Sequence, residues 1–119
     1  MIRTRDLAVA LVLSGLAVAA SAQSAYKVLD IYPGPQTSSP AGFTRSGGVT
    51  FFTATDPTHG RELWRSDGTT AGTLLVKDIV AGLGSASPTS LTDVGGTLFF
   101  RISGGALGDQ LWKSDGTAA

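Results

Sequence analysis

The chain has no cysteine among its 119 residues. That excludes a disulfide framework, a thiolate metal site, a catalytic thiol and a lipidated cysteine. Charge of one sign is missing as well: nine basic residues balance nine acidic ones. Nucleic-acid binders usually carry a basic surplus against phosphate, and surface-bound membrane proteins usually carry one against lipid headgroups. Neither class fits this chain. Charged residues make up only 15% of the sequence, too few for a long solvated helix or a coiled coil. Histidine occurs once, as His59, which limits the options for acid–base chemistry. By contrast there are 16 glycines, set among threonines, serines and short apolar runs. That composition suits an all-β chain with many tight turns.

One long apolar stretch does occur, at the N-terminus. Arg3 and Arg5 precede a nearly unbroken apolar run over residues 7–20. Small residues follow, with Ala20 and Ala22 at the positions a signal peptidase reads. The pattern predicts a secretory signal over residues 1–22, cut between Ala22 and Gln23. A membrane-spanning helix would need about 20 apolar residues, and this run is shorter. Removing the signal leaves seven basic and eight acidic residues. No later segment is apolar enough to span a bilayer, so a secreted, periplasmic or cell-surface location is expected. Without disulfides, such a protein must draw its stability from packing or from repetition.

Repetition is plain in the sequence. Shifting the chain by 48 positions lays ELWRSDGT (62–69) on QLWKSDGT (110–117). The same shift lays Phe51 and Phe52 on Phe99 and Phe100, Gly47-Gly48 on Gly95-Gly96, and Ser39-Pro40 on Ser87-Pro88. Without any gap, roughly 19 of 44 aligned positions are identical. A catalytic phrase is needed once per site, whereas a phrase recurring at fixed spacing marks a copied structural unit.

Within one unit, Gly47-Gly48 and Asp67-Gly68 are hairpin signals, because glycine accepts positive φ without a Cβ clash. The flanking β-prone runs predict four antiparallel strands at residues 42–45, 49–55, 61–65 and 73–79. The second unit is expected to supply strands at 90–94, 97–103 and 110–113. Residues 26–31 (YKVLDI) match a fourth strand whose three partners do not precede it. The organisation expected is therefore a terminal strand over 23–31, a first repeat over 32–79 and a second, truncated repeat over 80–119. Four short strands in about 40–50 residues is the pattern of a β-propeller blade. Propellers have about four to eight blades, so the expectation is a fragment of a longer protein, with assembly of several copies as the other way to complete a ring.

The motif's own residues read as structure. Leu63, Trp64, Leu111 and Trp112 alternate along strands and fill space between units. Gly68 and Gly116 serve the turns. Asp67 and Asp115 each have two readings: a carboxylate accepting hydrogen bonds across its own turn, or a calcium ligand. A calcium loop usually concentrates several carboxylates within about a dozen residues, and each turn here has one, so the turn role is favoured. His59 reads as an exposed loop histidine. Arg65 and Lys113 read as solvated. Asp56, Glu62, Asp78, Asp93 and Asp109 are scattered, with no paired acid–base signature.

The motif at 62–79, ELWRSDGTTAGT followed by LLVKDI, resembles the ELWxxDGT repeat family. The second copy departs from it at Gln110, where that family has Glu. The resemblance implies exported bacterial proteins of many tandem copies and propeller-like architecture, and brings no catalytic residues. The function expected is a non-enzymatic binding or structural module outside the cytoplasm, with an unknown ligand or protein as partner and no required cofactor. An exported propeller hydrolase or lyase with its catalytic blades elsewhere is the first alternative, and a calcium-dependent adhesion module the second. The stretch 53–61, which differs most from its counterpart 101–109, is where specificity is expected.

Overall fold

A computed structural model describes residues 24–104, 106 and 108–117. The signal segment and its cleavage residues Ala20, Ala22 and Gln23 lie outside the described residues. The described chain is all-β, with seven strands in two antiparallel sheets. β1 (Ala41–Ser46), β2 (Val49–Asp56), β3 (Gly60–Ser66) and β4 (Leu74–Lys77) form the first sheet in sequential order. β5 (Thr89–Val94), β6 (Thr97–Ile102) and β7 (Gln110–Ser114) form the second. The strand positions follow the sequence expectation to within a residue or two, except at two places.

The first is β4, which ends at Lys77 rather than running to Ile79. There the Glu62 carboxylate takes the Val80 amide at 3.0 Å, drawing the chain off the ladder. The second is the expected terminal strand, because residues 26–31 have no strand assignment. A strand needs neighbours for its ladder, and none of the described residues offers residues 26–31 one. The segment is nevertheless held. Leu29 and Ile31 pack against Phe52, Ala54 and Trp64, and the Thr70 hydroxyl donates to the Val28 carbonyl at 2.7 Å.

The 48-residue repeat recurs in the pairing register of the backbone. In β1–β2 the register slips between Ala41↔Thr53 and Thr44↔Phe51. In β5–β6 it slips between Thr89↔Arg101 and Thr92↔Phe99, at the equivalent residues. Each slip inserts one extra residue, a β-bulge with a left-handed residue in it. In the first unit that residue is Gly42 (φ 70°). In the second it is Ser90 (φ 57°), which has a Cβ and so bears a steric cost that glycine avoids.

Alternation along β2 and β6 creates the core. Phe51 and Leu63 point to one face of the first sheet, Phe52 and Trp64 to the other. The Phe51 face, with Val76, packs onto Leu98, Phe100 and Ile102 of the second sheet. Side-chain bonds tie the first strands of the sheets together: Ser46 Oγ donates to Asp93 Oδ1 at 2.6 Å and Thr44 Oγ1 to the Leu91 carbonyl at 3.3 Å. The opposite face of the second sheet meets nothing equivalent among the described residues. As a result Leu63 is 1% exposed and its repeat counterpart Leu111 is 77% exposed.

That contrast sets an expectation for one substitution at two equivalent positions. Leu63→Ala should cost about 2–5 kcal/mol, through lost burial and the cavity left behind. Leu111→Ala should change stability by no more than about 0.5 kcal/mol in dilute solution, as exposed positions do. Chemical denaturation of the two variants side by side checks this, and equal losses would mean that the two sheets are not packed as described.

Candidate functional site

The recurring Ser-Asp-Gly-Thr phrase forms a self-contained turn. Asp67 Oδ1 accepts from the Thr69 amide at 2.9 Å and the Thr69 hydroxyl at 2.6 Å, while Ser66 Oγ accepts from the Gly68 amide at 3.0 Å. The second copy repeats this with Asp115, Thr117, Ser114 and Gly116, at 2.9, 2.7 and 3.0 Å. The Thr69 hydroxyl bond, followed by its amide bond, holds the Asp67 carboxyl below its ordinary range. For Asp115 the order is reversed, with the Thr117 amide first. Gly68 (φ 95°) and Gly116 (φ 94°) sit where a side chain would be strained. Gly72 is required for a different reason: a Cβ there would strike the Asp67 carboxylate. Asp67 and Asp115 are thus engaged by their own turns. Among the described residues no group of three or more His, Cys, Asp or Glu side chains is placed to hold a metal ion.

Leu63, Trp64 and Trp112 enter the packed faces, whereas Leu111 does not. Arg65 differs from its expected role. It is half-buried, and its Nη1 donates to the Gly116 carbonyl at 3.1 Å, tying the first sheet to the second Asp-Gly turn. Its repeat position lies over the sheet interface, which a single strand's pattern does not reveal. Lys113 remains exposed. Beneath this region a cleft of about 560 Å³ separates the sheets, lined by Leu63, Val76, Ile79, Phe100, Trp112 and Asp115 among others.

The divergent β2–β3 loop holds the one histidine. Asp56 Oδ1 accepts the amides of Thr58 and His59 at 2.8 and 2.6 Å, and Asp56 Oδ2 meets His59 Nδ1 at 2.8 Å. His59 is therefore a half-buried, paired residue rather than a free loop side chain. The tight turn folds the imidazole back onto the carboxylate three residues earlier. The Asp56 hydrogen bond raises the His59 pKa above its ordinary value. For Asp56, burial opposes ionisation, but His59 and the two amides outweigh it and hold the carboxyl below its usual range. No hydroxyl joins the histidine to complete a nucleophilic triad among the described residues.

Glu62 and Asp78, which look unrelated in the sequence, come together behind β3. Glu62 is 0% exposed. Burial above all, with the negative charge of Asp78 adding to it, pushes its carboxyl up to about 7 despite the Val80 amide bond. Glu62 Oε2 and Asp78 Oδ1 are buried without a hydrogen-bond partner. A carboxyl with no surface exposure cannot reach a substrate. The one signal for this pair in the sequence is the Glu62/Gln110 difference. Gln110 instead accepts from Trp112 Nε1 at 3.1 Å, while Trp64 Nε1 in the first unit has no partner.

No protein-family model, curated protein or solved structure matches the chain. Its chemistry must be read from its own geometry.

Two outcomes follow. Between about pH 4.5, the ordinary value for Glu62, and 7, its raised value, the folded chain keeps a proton that the unfolded chain has released. Stability should fall as pH rises through that window and then level off. Glu62→Gln should remove that part of the slope and stabilise the protein at pH 8 by on the order of 1–3 kcal/mol. The raised His59 pKa adds loss in the same direction at higher pH, and that loss should persist in Glu62→Gln. Melts from pH 4 to 9 on both proteins test this; an unchanged slope in the variant would refute the buried-carboxyl assignment. Adding EDTA should leave the melting temperature unchanged, since each Asp-Gly turn supplies one carboxylate where calcium loops use several; a fall reversed by calcium would show the opposite.

Proposed function

We propose that this chain is an exported, non-enzymatic module of β-propeller type that acts by binding a partner outside the cytoplasm. The observation that carries this reading is how the repeated motif is used. Its leucine and tryptophans pack or lie along sheet faces, its aspartates close their own turns, and its one buried carboxyl, that of Glu62, is fully covered. No part of the repeated phrase is left to do chemistry. The resemblance to ELWxxDGT repeats supports the same reading, as does the match between the two units in register, bulge and turn.

Binding is then a matter for what differs between units. The β2–β3 end of the first sheet presents Thr58, His59 and Arg61. The matching end of the second presents Arg101 and Asp109, paired at 3.0 Å. These polar ends suit a hydroxylated or charged extracellular ligand such as a polysaccharide. The leader with its cut between Ala22 and Gln23 delivers the module to that setting.

The test has two readouts. The chain expressed with its leader should appear outside the cytoplasm with Gln23 as its first residue by N-terminal sequencing. Immobilised polysaccharides should retain it, and Thr58→Ala/His59→Ala should reduce retention. Cytoplasmic protein beginning at Met1 would overturn the export reading. Release of soluble sugar from the matrix would identify an enzyme instead.

A further inference from the structure

A second hollow, of about 580 Å³, lies between the two units at the start of β3, the end away from the Asp67 turn. Strands β1 to β3 wall one side, and residues 87–91, which lead into β5, wall the other. The lining combines apolar Pro88 and Leu91 with the hydroxyl residues Ser87, Thr89 and Ser90, and Arg61 is its one charged residue. The three hydroxyl residues are exposed.

Arg61 is half-buried and firmly placed. Its amide donates to Ser85 Oγ at 2.9 Å, and its carbonyl accepts the Ser87 amide at 3.1 Å. Its Nη2 donates to Thr53 Oγ1 at 2.7 Å. The ion pairs among the described residues are Lys27–Asp30, His59–Asp56 and Arg101–Asp109, and Arg61 is in none of them. The repeat sharpens the contrast. At the 48-residue shift, Thr53 and Arg61 correspond to Arg101 and Asp109. The same cross-strand place therefore holds a neutralised pair in the second unit and a cation with a neutral partner in the first. Partial burial of an uncompensated charge is costly, and an anion in the hollow would offset that cost. Ser90 points the same way. It sits at φ 57° where the first unit has Gly42, so the chain bears a steric cost and gains a hydroxyl-bearing residue at the wall. Backbone strain of this kind collects at ligand sites.

We infer that this hollow binds a carboxylated sugar, with Arg61 anchoring the carboxylate and Ser87, Thr89 and Ser90 meeting the ring hydroxyls. A guanidinium is a planar fork of five N–H donors that matches a carboxylate with two parallel bonds. The bond to Thr53 uses one of these donors and leaves others for a ligand. Serine and threonine hydroxyls both donate and accept, as sugar hydroxyls do. Pro88 and Leu91 offer apolar surface to the C–H face of a sugar ring. The volume lies within the range of about 300–1,000 Å³ usual for small-ligand sites. The inference rests on the proposed binding function. It narrows the ligand to an acidic saccharide and centres recognition on Arg61, which faces the second unit, rather than on the Thr58–His59 loop.

The test titrates galacturonate, neutral methyl galactoside and inorganic sulfate separately into the full-length protein, followed by amide NMR. Galacturonate should shift the amides of Arg61 and residues 87–91 saturably, and the galactoside should bind about tenfold or more weakly, as loss of a charged hydrogen bond predicts. Arg61→Gln should weaken galacturonate binding by about tenfold or more. That variant also disturbs the bond to Thr53, so Ser90→Gly serves as a second. It installs the residue that the first unit carries there, and should keep the wild-type circular dichroism and a melting temperature no lower than wild type. It should weaken galacturonate by about 2- to 10-fold, as loss of a neutral hydrogen bond predicts. Equal binding of galacturonate and galactoside, or galacturonate binding unchanged in both variants, would overturn the inference. Sulfate binding at the same amides as tightly as galacturonate would replace the carboxylated sugar with any oxyanion. Retention on neutral dextran that survives Arg61→Gln, without galacturonate binding, would sink this site and leave the proposed function standing. Galacturonate binding without retention on any polysaccharide would do the reverse.

Discussion

A sheet that is apolar on both faces cannot stand alone in water, and the rest of this structure follows from that constraint. Phe51 and Phe52 are adjacent in β2, so they must point to opposite faces. Leu63 and Trp64 do the same in β3. Any single unit therefore presents two apolar surfaces, each needing a cover. The second sheet covers one, and the segment carrying Leu29 and Ile31 covers the other. Burial of a large apolar side chain contributes roughly 1.5–3 kcal/mol, and a chain without disulfides has few other sources of comparable size.

Polar groups then fix how the covers sit. Stacking alone would tolerate sliding, because apolar contact has no direction. The hydrogen bonds between sheets do have direction. Ser46 to Asp93 locks the first strands, and Arg65 to the Gly116 carbonyl locks the third strand onto the following turn. The Asp-Gly turns act at a more local level. Each satisfies its own carboxylate and so holds its shape whatever lies beside it, which is why the same turn appears in a fully covered sheet and in a partly open one.

The two units differ where covering differs or where local polar chemistry was free to vary. Glu62 lies under the bend that follows β4, where burial holds it protonated up to near neutral pH. Its counterpart Gln110 is exposed and serves the Trp112 indole. The first unit's loop folds His59 onto Asp56, whereas the second holds Arg101 against Asp109. The two units thus share their pairing register and turns and diverge at one loop end.

The sequence by itself determined the all-β class, the seven strands of the two sheets (though it also read 26–31 as an eighth), the positions of the hairpin turns and the unit of repetition. These are local properties: alternation, Asp-Gly and Gly-Gly pairs, and a fixed offset. The self-satisfied Asp67 and Asp115 turns were legible for the same reason, since their partners lie two residues away. Only the tertiary structure decided that Glu62 meets Asp78, that Arg65 crosses to Gly116, and that residues 26–31 lie on a sheet without pairing in it. Each depends on residues brought together over 16 or more positions of chain, Glu62 and Asp78 by the β3–β4 pairing and the other two by packing across sheet faces. Neither alternation nor turn chemistry contains that distance. Burial decided it, and burial also made Leu63 and Leu111, identical in sequence context, a core residue and an open surface.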